Sequence, residues 1–332
     1  MNLESLEAQT TQLFTVAPGV WGRKEFFVNY YMIQDEATGN WALVDAGLKW
    51  SASGIRKMAN DLFGEDAKPT CIILTHGHFD HVGALATLAK EWDVPVYAHE
   101  LEMPYLNGKS EYPPADPSVG GGMMSYMSFM YPCGPIDVAD SLKTLPYDGT
   151  IPGLPGWKYI HTPGHSPGHI SLFRESDKVL IAGDAFVTTR AESAVHALTF
   201  TKQLSGPPKY FTCNWASAKQ SVLKLSALNP DIAATGHGHP MQGEYLQKEL
   251  STLATQFDKI ALPAMGRYVN EPAVTNEEGV VYLPPATDKI SAVVKAIGVT
   301  IAIASVAMLV YNEVIRKPNR RKLTEMMSYQ NN

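Results

Sequence analysis

Four side chains that commonly bind metal ions fall within six consecutive positions of this chain. The run Thr-His-Gly-His-Phe-Asp-His-Val-Gly at residues 75–83 contains His76, His78, Asp80 and His81. Neutral imidazole and carboxylate groups suit Zn²⁺ and leave coordination positions open for water. Alternate side chains of such a run can face two different metal ions, with Gly77 and Gly83 allowing the backbone to bend. The run therefore predicts a metal site.

Three later segments carry ligands of the same kinds. His165 lies in His-Thr-Pro-Gly-His-Ser-Pro-Gly-His at residues 161–169, where the prolines and glycines predict a rigid loop. Asp184 ends the apolar segment Ile-Ala-Gly-Asp. His237 lies in Thr-Gly-His-Gly-His-Pro at residues 235–240. Each follows a strand-like segment, so these loops are where further ligands of the first cluster are expected.

The elements that must position these ligands alternate between strands and helices. Apolar runs predict strands at 27–33, 41–44, 71–74, 94–98, 157–162, 170–173, 179–182 and 232–235. Helical spacing predicts helices at 53–62, at 84–92, after a cap at Asn214, and from 246 to 260. Residues 35–40 predict the turn of a hairpin. This alternation, with ligand-rich loops after the strands, indicates an α/β fold whose site lies along strand ends.

The order and content of these motifs resemble the metallo-β-lactamase superfamily. The His-x-His-x-Asp-His cluster, the later Gly-His, the Gly-Asp and the Gly-His-Gly occur in the family's order over residues 12–262. Asp45-Ala46-Gly47 resembles the family's Asp-x-Gly turn, which supports the metal loops from outside the ligand set. Because four separated motifs must coincide, the signal is specific.

The resemblance implies a four-layer αββα sandwich with a dinuclear metal site at one edge of its sheets. The first metal is implied at His76, His78 and His165, and the second at Asp80, His81 and His237. Asp184 would bridge both. The expected cofactors are two Zn²⁺ ions, with Fe or Mn as alternatives. Metal-bound hydroxide would attack an electrophilic carbonyl or phosphorus, and Asp80 would be the catalytic residue that orients it or carries its proton.

The ligand set narrows the reaction that the resemblance implies. His78 stands where the diiron flavoprotein branch carries Glu, which favours a hydrolase. Asp184 supplies a bridging carboxylate that the true β-lactamases lack, so the chain is more similar to glyoxalase II-like thioesterases, acyl-homoserine lactonases and transfer-RNA-processing nucleases. Val187, however, stands where the lactonases place a catalytic tyrosine. We therefore expect hydrolysis of a thioester, lactone or related ester. A phosphodiesterase or nuclease of the same fold, a persulfide dioxygenase and a non-catalytic membrane-recruited binding module stay open as alternatives.

Other polar residues near the motifs are not assigned to the ligand set. His169 and His239 adjoin the ligands and are expected in second-shell or loop roles. His161 either orients a ligand or caps its strand. Asp45 is expected to be a structural turn residue rather than a reactant. No pairing is visible for His99 or His196, which we expect to be ordinary histidines.

Composition excludes several functional classes. The formal net charge of -6 over 332 residues supplies no general attraction for nucleic acid, so no nucleic-acid partner is expected. Three separated cysteines, Cys71, Cys133 and Cys213, do not form a disulfide framework. Residues 101–140 are rich in Met, Tyr and Gly. They either line a pocket for the apolar portion of a small-molecule substrate or pack on the body or on a homodimer partner.

The C-terminal part carries a separate signal. We expect a catalytic domain at 1–262, a linker at 263–289, and an apolar helix with a basic tail at 290–332. Residues 296–311 are uncharged, and basic residues follow up to Lys322. Residues 290–311 are therefore expected to span a membrane, lie on it or pack on protein, with membrane contact through 290–322. The N-terminal segment lacks the pattern of a signal peptide, so the expected location is cytoplasmic or membrane-associated.

Overall fold

The computed structural model describes residues 11–194 and 202–286. The chain divides after Ala286 into two units, and the second lies outside the described residues. The predicted apolar helix and basic tail, and also His196, therefore stay predictions. Within the described ranges, no helix has both the length and the apolar character needed to cross a bilayer.

The first sheet contains seven strands that pair in chain order. The strands are β1 (Thr11–Ala17), β2 (Val20–Glu25), β3 (Val28–Gln34), β4 (Trp41–Val44), β5 (Cys71–Ile73), β6 (Val96–Ala98) and β7 (Leu142–Thr144). Neighbours from β1 to β4 are antiparallel, and β4 to β7 pair in parallel. The change to parallel pairing requires a crossover segment before each later strand, and all three of these crossovers contain helices.

The second sheet contains five strands in the order β12-β11-β10-β9-β8. The strands are β8 (Lys158–His161), β9 (Ile170–Arg174), β10 (Val179–Ile181), β11 (Ile232–Ala234) and β12 (Met241–Gln242). A separate hairpin joins β13 (Val274–Asn276) to β14 (Gly279–Tyr282). In the second sheet only the β10–β11 pair is parallel.

Helices connect the strands and cover the outer faces of the sheets. The described α-helices are α1 (Ala52–Phe63), α2 (Leu85–Trp92), α3 (Met103–Leu106), α4 (Met123–Met127), α5 (Trp215–Ala227), α6 (Gly243–Thr255) and α7 (Phe257–Ile260). Asn214 caps α5, because its side chain accepts a hydrogen bond of 3.0 Å from the backbone N–H of Ser217. This cap is the one that the sequence predicts.

Three apolar clusters separate four layers. One joins α1 and α2 to the outer face of the first sheet, through residues such as Ile55 and Leu43. The second lies between the two sheets, where Ile73 meets Leu172 and its neighbours. The third joins α5 and α6 to the outer face of the second sheet, with Leu180 in the sheet and Leu250 in a helix. The layers are therefore α, β, β and α, as the resemblance implies.

Most predicted elements are present with ends shifted by one or two residues, and three groups differ. The N-terminal hairpin β1–β2 and the short edge strands β7 and β12 are present in the structure, although the sequence does not predict them. The single helix predicted from 246 to 260 is two helices that meet at Gln256. Its apolar spacing continues across the break, because Leu253 and Phe257 both face the same cluster.

The segment that the sequence assigns to a linker packs on residues 101–140 as far as the structure describes it. Tyr268 is buried, and its hydroxyl donates a 2.8 Å hydrogen bond to the Pro114 carbonyl. In the β13–β14 hairpin, the backbone N–H of Val280 donates to the Ser110 hydroxyl oxygen at 3.3 Å. This segment therefore contributes to the body, while the domain boundaries themselves stay a prediction.

Candidate metal centre

The loop that carries the first four ligands leaves the end of β5. Neither Gly77 nor Gly83 has a positive φ angle, so the backbone conformation does not require glycine there. The space around these two residues does. A Cβ atom at Gly77 would lie 2.4 Å from the Tyr112 hydroxyl, and one at Gly83 would lie 2.3 Å from the carbonyl carbon of Leu48. Besides the predicted bend of the backbone, close packing therefore accounts for glycine at these two positions.

All seven predicted ligands are buried and converge at one place. Their ligand atoms form three overlapping groups, each with all atoms within 4.8 Å of one another. The groups are His76, His78 and His165; Asp80, His81 and His237; and His76, His81 and Asp184. The first two groups are the two ligand sets that the resemblance implies, and Asp184 lies with one member of each. Which ion each residue holds stays a prediction.

One carboxylate faces three imidazoles at the centre of this cluster. Asp184 Oδ2 lies 3.0 Å from the Nε2 atom of His237, 3.4 Å from that of His165 and 3.7 Å from that of His81. Asp80 Oδ2 lies 3.6 Å from His237 Nε2 on the other side. Asp184 and the three imidazoles come from loops after four different strands, so the tertiary fold assembles the centre.

Unpaired atoms in the cluster fit a bound cation. Among the described residues, His76 Nε2, His81 Nε2 and Asp184 Oδ1 are buried without a hydrogen-bond partner. Buried polar atoms normally have partners, and an unpaired one is costly. Nitrogen and carboxylate oxygen are the ligands of Zn²⁺ and of similar divalent ions. The donor set and the unpaired atoms therefore fit the metals that the sequence predicts.

Three of the imidazoles are held neutral by their surroundings. Burial lowers the pKa of His76 and of His78 well below the usual value, and neighbouring imidazoles lower both further. Burial also lowers the pKa of His165, to about 4. A neutral imidazole presents a lone pair to a metal without first losing a proton. This triad is thus ready to bind a cation at neutral pH.

The Asp184 side of the cluster has the opposite electrostatics. Burial alone would raise the pKa of Asp184, but the imidazoles of His237 and His81 outweigh it and hold that pKa well below its usual range. At His81 burial would lower the pKa, but the carboxylates of Asp184 and Asp45 outweigh it and raise the pKa. The centre therefore keeps Asp184 ionised.

Asp45 holds the first ligand loop from behind. Its Oδ2 atom lies 2.9 Å from His81 Nδ1 and accepts a 2.8 Å hydrogen bond from the Thr75 hydroxyl. Its Oδ1 atom accepts from the backbone N–H of Thr75 at 2.8 Å. Because the carboxylate engages Nδ1, the Nε2 atom of His81 is left to face Asp184. Asp45 thus supports the centre without being a candidate ligand.

His169 uses both ring nitrogens in hydrogen bonds. Its Nδ1 atom lies 2.8 Å from the Thr162 hydroxyl, and its Nε2 atom accepts a 2.8 Å hydrogen bond from the backbone N–H of Asp184. A Cβ atom at Gly183 would lie 2.6 Å from that Nε2 atom. His169 therefore positions the main chain of Asp184 from outside the ligand set, which is one of the two roles expected for it.

The other histidines that the structure describes lie outside the three groups. The ring of His161 stacks on that of His99 with centroids 3.9 Å apart, and its Nε2 atom lies 3.0 Å from the Pro167 carbonyl oxygen. This contact ties β8 to the loop that carries His165. The ring of His239 packs near Phe14 at 6.1 Å.

Two buried residues that the sequence does not single out organise the ligand loops. Glu102 accepts hydrogen bonds from both the loop of His78 and the loop of His165. Asn29 in β3 donates from Nδ2 to the carbonyls of Thr235 and Gly238, on either side of His237, at 2.8 and 2.6 Å. Neither residue belongs to a motif, and their partners are distant in sequence, so no local signal marks them.

Aromatic side chains surround the ligand cluster. Phe211 stacks on the ring of His78 with centroids 4.5 Å apart, and half-buried Tyr131 lies 6.0 Å from Phe211. Half-buried Phe79 lies 5.5 Å from Tyr131, and Phe27 stacks on His237 at 6.2 Å. We refer to Phe27, Phe79, Tyr131 and Phe211 as the aromatic rim. Val187, at the position of the lactonase tyrosine, is fully buried and supplies no hydroxyl.

Comparison with known proteins agrees with this architecture. The sequence profile described as Metallo-beta-lactamase superfamily matches residues 23–237. The probable metallo-hydrolase YflN of Bacillus subtilis (strain 168) is 44% identical over 248 residues, covering 74% of this chain and 94% of that protein. A hydroxyacylglutathione hydrolase of Bdellovibrio bacteriovorus is 29% identical over 157 residues, covering 47% of this chain and 48% of that protein.

A solved structure shares the fold. It is a B3 metallo-β-lactamase with an active-site glutamic acid, 15% identical, with a TM-score of 0.50 over 77% of this chain and 92% of that chain. The profile match covers more than half of the chain and includes all seven candidate ligands. With its αββα layers and its buried His and Asp cluster, the chain belongs to the metallo-β-lactamase superfamily.

Proposed function

We propose that the protein is a metal-dependent hydrolase that uses two divalent cations, Zn²⁺ in the first instance, to cleave a thioester, lactone or related ester. The observation that carries this proposal is the position of Asp184, which shares a ligand group with His76 and His81. A carboxylate placed between two ligand sets suits a bridge between two cations. Two bound cations supply a nucleophile from water near neutral pH and stabilise charge that develops on the substrate oxygen.

Asp80 is the residue that we propose to move the proton. Its carboxylate lies 3.6 Å from His237 Nε2, and burial raises its pKa. A carboxylate with a raised pKa is a better proton acceptor, so Asp80 can take the proton of the attacking water and deliver it to the leaving group. Asp45 and His169 keep His81 and Asp184 in place while this occurs.

The aromatic rim supports a substrate with an apolar portion. Phe27, Phe79 and Tyr131 are half-buried, so each presents part of a ring to the solvent beside the ligands. Aromatic surfaces of this kind favour an apolar or aromatic acyl group.

The residues from 101 to 140 divide between two roles: Tyr105 and Tyr112 pack in the body, whereas Met123 and Tyr126 are exposed. The relative named hydroxyacylglutathione hydrolase lends support to a thioester.

Metal analysis and a substrate panel test this proposal. We expect the full chain to bind two equivalents of divalent metal. We also expect thioesters, lactones or esters with apolar acyl groups to be hydrolysed faster than β-lactams or phosphodiesters. Asp184→Ala should lower kcat/KM by a factor on the order of 10³. His99→Asn, outside the ligand groups, is the control and should retain activity.

The panel separates the alternatives. A chain that neither contains nor takes up divalent metal would rule out the proposed chemistry. Preferential cleavage of a phosphodiester would replace the ester class by the nuclease alternative. Loading the metal-free chain with Zn²⁺, Fe²⁺ or Mn²⁺ in parallel identifies the ion that gives the highest rate.

A further inference from the structure

Glu102 is a buried carboxylate that connects two ligand loops. It ends the 3₁₀ turn Glu100–Glu102, and none of its surface is exposed. Its Oε2 atom accepts hydrogen bonds from the backbone N–H of Gly77, at 2.9 Å, and from the Tyr112 hydroxyl. Its Oε1 atom accepts from the Ser166 hydroxyl and from the backbone N–H of Gly168, both at 2.7 Å.

Three of these four partners, Gly77, Ser166 and Gly168, belong to the loops that carry one candidate ligand group, and the fourth, Tyr112, packs on the ring of His78. Gly77 lies between His76 and His78, and Ser166 follows His165 directly. Each oxygen of Glu102 serves one side: Oε2 the loop of His76 and His78, and Oε1 the loop of His165. The length of one carboxyl group therefore sets the separation of the two loops.

The chemistry of the four partners suits a carboxylate. All four donate, and an ionised carboxylate has lone pairs for four donors and no proton of its own. The ion pairs found among the described residues do not include Glu102. Its charge is therefore stabilised by directed hydrogen bonds to the loops, and these fix its orientation.

Close packing leaves this connection little freedom. A Cβ atom at Gly168 would lie 2.7 Å from Glu102 Cγ. The ring of Tyr112 packs against that of His78, with centroids 4.7 Å apart. A shift of Glu102 would therefore move the loop of His165, the ring that covers His78, or both.

We propose that Glu102 is a positioning residue that holds His76, His78 and His165 as a preformed metal-binding group. Its hydrogen bonds go to the loop backbone, Ser166 and Tyr112, so it acts on the ligands through their loops. The inference rests on the metal site of the proposed function. Glu102 lies outside the family motifs, and we predict that the binding of one of the two metal equivalents depends on this residue.

Glu102→Gln is the decisive variant, because glutamine keeps the shape but turns one acceptor oxygen into an NH₂ group facing two donors. We expect the full-length variant to fold, as a cooperative unfolding transition would show. We expect it to bind one equivalent of Zn²⁺ about 10- to 100-fold more weakly than the wild-type chain, measured by competition with a chelator. The visible spectrum of the Co²⁺-loaded protein should change as well, since the geometry of the His triad is altered. Glu100→Gln is the matched control, because Glu100 accepts a 2.7 Å hydrogen bond from the exposed Tyr147 hydroxyl.

The outcomes are separable. Zn²⁺ affinity and Co²⁺ spectrum equal to those of Glu100→Gln would overturn the role of Glu102. Should Glu102→Gln fail to fold, Ser166→Ala and Tyr112→Phe each remove one donor, and each should weaken one equivalent by about 3- to 10-fold; unchanged affinity in both would also overturn it. Failure of the wild-type chain to take up any Zn²⁺ would contradict the proposed function itself.

Discussion

The imidazoles of this protein differ in what their second nitrogen does. His81 and His237 each engage a partner through Nδ1, Asp45 in one case and the Phe27 carbonyl in the other, and direct Nε2 into the cluster. His169 has hydrogen-bond partners on both nitrogens and none left for a metal. His165 differs in what its Nε2 atom faces: it lies 3.0 Å from His78 Nδ1 and 3.4 Å from Asp184 Oδ2, both atoms of other candidate ligands. The atoms that Nε2 faces therefore separate His165 from its near neighbour His169.

The surroundings of His99 lower the affinity of its ring for a proton. Burial lowers its pKa to about 4, and the stacked imidazole of His161 adds to the shift. In the unfolded chain this group titrates near 6.5. Between these two values the unfolded chain binds the additional proton, so the free energy of unfolding falls as the pH is lowered through this range.

We predict that His99→Asn makes the protein less sensitive to acid. Asparagine can still accept the hydrogen bond that His99 Nδ1 receives from the backbone N–H of Leu101, but it does not titrate. Solvent screening of the half-buried ring reduces the expected effect, so from pH 7 to pH 5 the wild-type chain should lose about 1 kcal/mol more than the variant. Urea unfolding at the two pH values measures this difference. Because all other histidines are common to both chains, equal losses would contradict the assignment.

At the scale of elements, the strand ends place the ligands and the loops make them converge. The loop after β11 passes so close to the loop after β10 that only glycine fits at position 236. A Cβ atom there would lie 2.1 Å from Asp184 Oδ1 and 2.8 Å from His81 Cε1. Gly236 has no positive φ angle, so space alone selects glycine at this position.

We predict that Gly236→Ala displaces Asp184 and leaves the fold intact. The variant should bind fewer than two equivalents of metal and lose activity by a factor on the order of 10². Metal analysis, kcat/KM and circular dichroism on the same preparation test this. Gly156→Ala is the matched control, because a Cβ atom there meets nothing within 4 Å and its φ is not positive. Full metal content in Gly236→Ala would show that the loops can separate without cost to the site.

At the scale of the whole molecule, the site lies where the two sheets meet. The first sheet supplies the ligands after β5, and the second supplies those after β8, β10 and β11. Asn29 in the first sheet holds the loop of His237 in the second, and its backbone N–H also donates to the Gly236 carbonyl at 2.7 Å. The hydroxyl of Tyr31 donates to the Thr235 carbonyl at 2.6 Å. The hydrogen bonds that join the two sheets therefore also hold the loop that carries His237.

We predict that Asn29→Asp loosens this connection. The carboxylate has the same shape but would place an oxygen where Nδ2 now donates to two buried carbonyls. The expected loss in free energy of unfolding is about 2–4 kcal/mol, measured by denaturant titration of the metal-free chain. Asn40→Asp introduces the same change at an exposed turn and should have little effect. Equal stability of the two variants would show that the carbonyls find other partners.

The sequence by itself determined the fold class and the types of ligand. Strand periodicity, the Asn214 cap and four motifs in a fixed order are local features, readable over a few residues each. The seven candidate ligands could be named because these motifs, in this order, resemble those of the superfamily. The ends of several elements differ from the prediction, and the short edge strands β7 and β12 are not predicted, because tertiary pairing stabilises such short segments more than their own residues do.

Only the tertiary structure decided which residues hold the ligands in place. Asn29 meets Thr235 across 206 positions, and Glu102 meets Gly168 across 66. Such contacts leave no spacing pattern in the chain, because they depend on where distant loops come together. The same holds for Gly77, Gly83 and Gly236, whose small size is required by neighbours from other elements. Local sequence carries the chemistry of the ligands, whereas their geometry depends on long-range packing.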